Sequence, residues 1–327
     1  MTQPLAPAPA HAWSAAGPAL GRFAGCSADM ALPAARGAWA RFRTKTWAHA
    51  LLTTPGHVFT FAAVDVGLLQ TVWVQHADLR SGRRTEHAWT GPPGGFLGAG
   101  TLAEGPVAGR GGGVVVSVDL RGGRVTASGE GGLQPSIAVD LEVVPGPPLL
   151  FAQLPLGGGR VLGSVKGPVR VRGTLLVDGV ALSDADAVLV VDLHRADYPW
   201  RTDWRWATFA VPGGPAVQLT HNLIGDDARW NENAVWLPGE GPRGLGPARF
   251  THDPTRPHQP WRVRTEDGSV DLHFQPLGGR SDTTNLGVLR SWFHQLYGRF
   301  DGTLHVGGRS HAVAGALGLC EDHQARW

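Results

Sequence analysis

A chain of 327 residues, 42% hydrophobic and 17% charged, can bury one large core or two of ordinary size and is far from the composition of a disordered chain. Its formal charge of +2, with arginines spread through the chain, leaves no basic stripe to follow a phosphate backbone, so nucleic acid is not an expected partner. Cys26 and Cys320 form neither a zinc knuckle nor a disulfide framework, and no apolar run approaches the roughly 20 residues of a membrane span. With no basic and apolar leader at Met1 to His11, a cytoplasmic protein is expected.

In chain order, residues 1–43 read as a Pro/Ala-rich flexible lead-in followed by an arm laid over the body. From His57 the texture changes to strands punctuated by turns: 57–66, 69–79 and 83–90 form a meander. A glycine-rich connection, 92–113, leads to short strands over 114–120, 124–128, 137–144 and 149–153. The glycines at 157–159 suggest a boundary, giving β domains over 44–159 and 160–327. In the second, 169–177 and 180–182 meet across Asp178-Gly179, and 261–274 folds over Asp267-Gly268 with Trp261, Val263, Val270, Leu272 and Phe274 on one face. The segment Gly173–Gly179 echoes Gly302–Gly308. One helix is predicted, Asn285 to Tyr297, where Leu286, Leu289, Phe293 and Tyr297 share a face.

Short strands about ten residues apart with little helix between them predict an all-β sandwich or meandering barrel. Thirteen tryptophans favour a barrel around an aromatic-lined cavity.

The second half carries 192-DLHRADYPW-200, 203-DWRW-206, 231-NEN-233, Pro260-Trp261, 297-YGRFDG-302, Gly318 and Glu321, and the first half carries Lys45-Thr46-Trp47. In this order the chain resembles, from about Arg22 onward, a bacterial family known only as a domain of unknown function. That family is distantly similar to the lipocalin-like group containing hydroxyneurosporene synthase, a carotenoid hydratase, and fungal enzymes that fold a polyene for Diels–Alder cyclisation. The resemblance implies two tandem lipocalin-like (calycin-type) antiparallel barrels or half-barrels with an apolar pocket between or within them.

The densest chemistry is the stretch from Asp192 to Trp206. On a strand, Trp204 and Trp206 share one face and Asp203 and Arg205 the other. An acid beside indole faces is what protonating an alkene requires, because the rings stabilise the developing cation, and Asp192 or Asp197 would supply it. His194 would orient Asp192 or shuttle a proton. The alternative is that Asp197, Arg201 and Asp203 tie a loop while the tryptophans fill core. Asn231-Glu232-Asn233 is either an oxygen-rich cation site with Asp226 and Asp227 or an Asx-rich turn whose Glu232 points inward to an arginine. Buried in an apolar pocket, Glu232 becomes a candidate acid. Tyr198, Trp200, Trp204, Trp206, Asn233 and Tyr297 are the expected ligand contacts.

The histidines show no zinc spacing, there is no nucleophile elbow, and the glycine runs lack the context of a phosphate loop, so no metal or nucleotide cofactor is expected. Three functions stay open. The pocket carries a lipid, terpenoid or polyene; or it catalyses hydration, isomerisation or cyclisation of one; or the protein is structural. A carboxylate facing the cavity separates the first two. The sequence does not fix the oligomeric state.

Overall fold

A computed structural model describes residues 2–28, 40–98, 105–287 and 289–326. Residues 29–39 of the arm and 99–104 of the glycine-rich connection lie outside that set. The described residues are all-β apart from one helical turn, Ala40–Arg43. They form two curled antiparallel half-barrel sheets and a two-stranded ribbon, Trp13–Ser14 with Gly17–Pro18.

The first sheet runs Arg84–Gly91, Gln70–Asp78, His57–Asp65, Thr44–Thr54, Val188–Asp197, Arg160–Val177, Ile137–Val144, Arg124–Gly129, Val114–Asp119, Val107–Gly111, Phe96–Leu97. Leu150–Gly157 pairs with the front half of Arg160–Val177 and with Gly21–Ala24. Alternate residues of these strands, among them Phe59, Phe61, Val72, Val74, Val116, Leu141 and Val165, close a core inside the curl. The curl brings backbone hard against side chains at Gly109, where an added Cβ would sit 2.6 Å from Val72 Cγ1.

The second sheet runs Arg243–Gly244, Ala234–Trp236, Ala216–Asn222, Arg201–Ala210, Arg309–Arg326, Leu289–Val306, Val270–Leu286, Trp261–Thr265, Ala248–Thr251. Its core holds Phe209, Leu219, Trp261, Leu272, Phe274 and Phe300. The hairpin over Asp267-Gly268 has the anticipated face split, with Arg262 and Asp271 paired on the wet side.

Two sequence expectations are corrected here. The glycine turn 157–159 joins two strands of the first sheet, and the chain passes from one sheet to the other between Asp197 and Arg201. The helix predicted over Asn285 to Tyr297 is the end of one strand, a turn and the start of the next, with Leu286 opposite Leu289. Leu289, Phe293 and Tyr297 are four apart, a spacing that keeps one face in a strand as well as in a helix, so periodicity could not choose between them. Cross-strand pairing along the whole of Leu289–Val306 decides it.

The lead-in is also fixed by contacts. Leu5 N donates to Pro242 O and Ala8 N to Ala24 O. Arg22 Nη1 reaches Asn231 Oδ1 at 2.6 Å and the carbonyls of Asn233 and Leu245 at 2.8 Å, pinning the arm to the second sheet. No helix among the described residues is long and apolar enough to cross a membrane.

Candidate functional site

The two sheets meet along an apolar seam that includes Leu51, Val190, Trp206, Trp236, Tyr297 and Leu319. Beside that seam lies a cavity of about 170 Å³, close in size to a void that accepts a benzene-sized ring (~150 Å³). Its rim includes the partly or fully exposed Leu69, Thr90 and Asp282, and its interior ends in buried His49, Lys166, Asp192, His194, Glu232 and Glu321.

Strand register explains how these groups converge. In the first sheet His49 lies opposite Asp192 and Asp192 opposite Lys166, so one row crosses three strands; Trp47 and His194 head the next row on the same face. In the second sheet Trp206, Glu321 and Gln295 form one row, and Trp204, His323 and Phe293 the next. Glu232 comes from the loop between Ala216–Asn222 and Ala234–Trp236 and crosses the seam.

Glu232 pairs with a lysine, not the arginine expected from sequence. Lys166 Nζ sits 3.2 Å from Asp192 Oδ2 and 3.4 Å from Glu232 Oε1, with all three side chains almost fully buried. Burial pulls the lysine down, but Asp192 and Glu232 outweigh it and hold the ammonium above its ordinary value. Ser164 Oγ donates to Glu232 Oε1 at 2.5 Å. The adjoining asparagines make the anticipated Asx turn, with Asn233 N donating to Asn231 Oδ1. No group of three metal-ligating side chains occurs among the described residues.

Glu321 has a different set of neighbours. Trp204 Nε1 donates to its Oε1 at 2.6 Å and Gln295 Nε2 to its Oε2 at 2.7 Å. Burial pushes this carboxyl up to about 7, against the pull of those two hydrogen bonds. Gln295 then accepts from His49 Nε2 at 3.2 Å through Oε1, which assigns the proton of His49 to Nε2 and leaves Nδ1 an acceptor. Burial drives His49 down to about 4 and His194 well below its usual range, so both rings are neutral.

Aromatic faces make up much of the remaining wall. Trp47 stacks on His194 with centroids 4.0 Å apart and on Trp204 at 5.5 Å, while His49 meets Trp206 edge-on at 5.2 Å. Tyr198 OH is 2.7 Å from His194 Nε2.

Of the residues singled out in the sequence, Asp192, His194, Tyr198, Trp204, Trp206 and Glu232 line the cavity. Asp197, Trp200, Asn233 and Tyr297 are not among its lining residues. Asp197 is an odd number of residues from Asp192 on the same strand and faces away. Trp200 is half exposed beside Arg326. Asn233 braces the loop, accepting from Thr220 N and donating to Gly246 O, and Tyr297 packs in the seam. The sequence reading missed Lys166, His49 and Gln295 and gave Trp47 and Glu321 no role.

A family model described as a domain of unknown function (DUF2804) matches residues 24–327. No curated protein matches the chain. Among solved structures it is similar to kievitone hydratase from Nectria haematococca, with 10% identity and a TM-score of 0.44 over 86% of this chain and 88% of that one. It is also similar to CghA, with 12% identity and a TM-score of 0.45 over 93% of this chain and 94% of that one. For CghA with Sch210972 the values are 11% and 0.44 over the same shares.

Proposed function

The chain belongs to the DUF2804 family, and we propose that its cavity binds an apolar, unsaturated small molecule and transfers a proton to it without a cofactor, as a hydratase, isomerase or cyclase does. The observation that carries this reading is Glu321. It is a buried carboxyl whose direct hydrogen-bond partners are an indole and an amide, held to about 7 beside aromatic walls. An acid of that strength is half protonated near neutral pH, which suits general acid catalysis. The faces of Trp47, Trp204 and Trp206 suit the positive charge that forms when a carbon–carbon double bond takes up the proton. The same walls supply the apolar contact that binding requires. Capture of the cation by water gives hydration, loss of a different proton gives isomerisation, and capture by a second double bond gives cyclisation.

The test is deuterium uptake. Geraniol, retinol and oleic acid are incubated with the protein in heavy water and examined by mass spectrometry, with binding followed separately by tryptophan fluorescence. At least one probe gains carbon-bound deuterium with the native protein and none with Glu321→Gln. Binding without exchange in any probe supports a carrier instead.

A further inference from the structure

The two rows of polar side chains are copies of one another. In the first sheet Lys166 pairs with Asp192, Ser164 with His194 and Leu162 with Ala196. In the second, Gln295 pairs with Glu321, Phe293 with His323 and Ser291 with Ala325. Each pair of the second set follows its counterpart by the same interval in sequence, and that interval also maps Gly173 onto Gly302. Those glycines occupy the same bend of their strands, with φ of 156° and 144°, and an added Cβ would strike Asp140 O in one case and Asp271 O in the other. The next strand continues the match, since Trp47 and His49 lie opposite His194 and Asp192 as Trp204 and Trp206 lie opposite His323 and Glu321. Two units, 44–197 and 201–326, therefore match in register over three strands, which places one carboxylate at the same position in each.

We propose that the two matching carboxylates form an acid–base pair: Asp192, set against Lys166, is the base of the cavity, and Glu321, set against Gln295 and Trp204, is its acid. Lys166 and Gln295 are the positioning residues that divide the roles. This rests on the proton-transfer reading above and adds to it which carboxyl does which half of the reaction.

The partners at equivalent positions carry the argument. At position 166 an ammonium lies 3.2 Å from Asp192 Oδ2 and 3.4 Å from Glu232 Oε1, whereas the matching position 295 sets a neutral amide against Glu321. The groups that face Glu321 across the cavity are His49 and Asp192 with His194, Lys166 and Glu232, and, from Val270–Leu286, Arg280 and Asp282. Arg280 is engaged by Glu86 and Asp282, and Lys166 by its own two carboxylates. A second observation concerns two unsatisfied acceptors on residues that line the cavity. Asp192 Oδ1 and His49 Nδ1 are buried acceptors on cross-strand neighbours, and neither has a donor. We place the hydrating water against these two acceptors, where it donates one hydrogen to each and keeps its lone pairs for the substrate. In hydration Glu321 gives its proton to one alkene carbon, this water bonds to the other, and Asp192 takes the proton that the water loses. The later passage of that proton back to Glu321 restores both groups.

The experiment reads protonation directly and needs no substrate. Difference infrared spectra between acid and alkaline pH report the C=O band of a buried carboxylic acid. The native protein should show such an acid titrating near pH 7, present in Asp192→Asn and absent in Glu321→Gln. Gln295→Lys, which gives the second unit the cation of the first, should lower that titration by about one to three pH units. Lys166→Met should add a second carboxylic-acid band, and where it fails to fold the other three variants still decide the matter. The assignment is overturned if the native band persists in Glu321→Gln, disappears in Asp192→Asn, or does not move in Gln295→Lys. Correct bands without deuterium uptake by any probe would sink the catalytic reading and leave the protonation assignment standing.

Discussion

Replacing Glu321 by Gln should change stability in a way that depends on pH. The folded protein holds this carboxyl at about 7 against an ordinary 4.5. Between those values the folded state binds the proton more tightly than the unfolded state, so this group's contribution is complete below pH 4.5 and is lost as pH rises to about 7. At 1.36 kcal/mol per pH unit the loss is roughly 3 kcal/mol. Gln also mispairs one of two N–H donors, because Trp204 and Gln295 both donate to position 321. That penalty, about 1–3 kcal/mol, is the same at every pH. Urea unfolding of both proteins at pH 4.5 and pH 8 separates the two effects. The difference in unfolding free energy between variant and native should move in favour of the variant by roughly 3 kcal/mol from the lower pH to the higher. A difference that stays constant would show that Glu321 ionises normally and would remove the basis for treating it as an acid.

Three further outcomes are expected. Burial holds His49 at about 4 and His323 at about 3, so the unfolded chain takes up these protons first as pH falls below 6.5; each costs roughly 3 kcal/mol or more by pH 4, and thermal melts of His49→Gln should show a smaller acid-induced loss than the native protein. Trp206→Phe should cost about 1–3 kcal/mol in urea melts, because its indole donates to the fully buried Gln218 Oε1 at 2.7 Å and leaves that oxygen unpaired. Gly109→Ala should cost about 1–3 kcal/mol, since its Cβ meets Val72 in the closed curl; an unchanged melting temperature would mean that the curl is looser than described.

Much of the fold was legible because strands announce themselves locally. The alternation around Trp261 to Phe274 and the Asp267-Gly268 turn are enough to place that hairpin and its buried face. The misplaced helix shows the limit of the same evidence, where a spacing of four suits either period. Half of the site follows from alternation within two single strands: Asp192 and His194 share a face of one, and Trp204 and Trp206 a face of the next. What could not be read locally is register. Lys166 meets Asp192, and Gln295 meets Glu321, through pairings that no single segment encodes. A signal was nevertheless present. Had the echo of Gly173–Gly179 in Gly302–Gly308 been carried along the chain at the same interval, Asp192 and His194 would have fallen on Glu321 and His323.

In each unit the first strand hydrogen-bonds to the last, Thr44–Thr54 to Val188–Asp197 and Arg201–Ala210 to Arg309–Arg326. Such pairings span nearly a whole unit, and contacts so distant in sequence slow folding. As the chain emerges from the ribosome, Thr44–Thr54, nearly all of it destined for burial, can pair on one side with His57–Asp65 while its other edge waits for residues 188–197. An open edge of that composition is a template for pairing with other chains. The topology that aligns the two carboxylates thus leaves the nascent chain with an unpaired apolar edge until each unit's last strand has arrived.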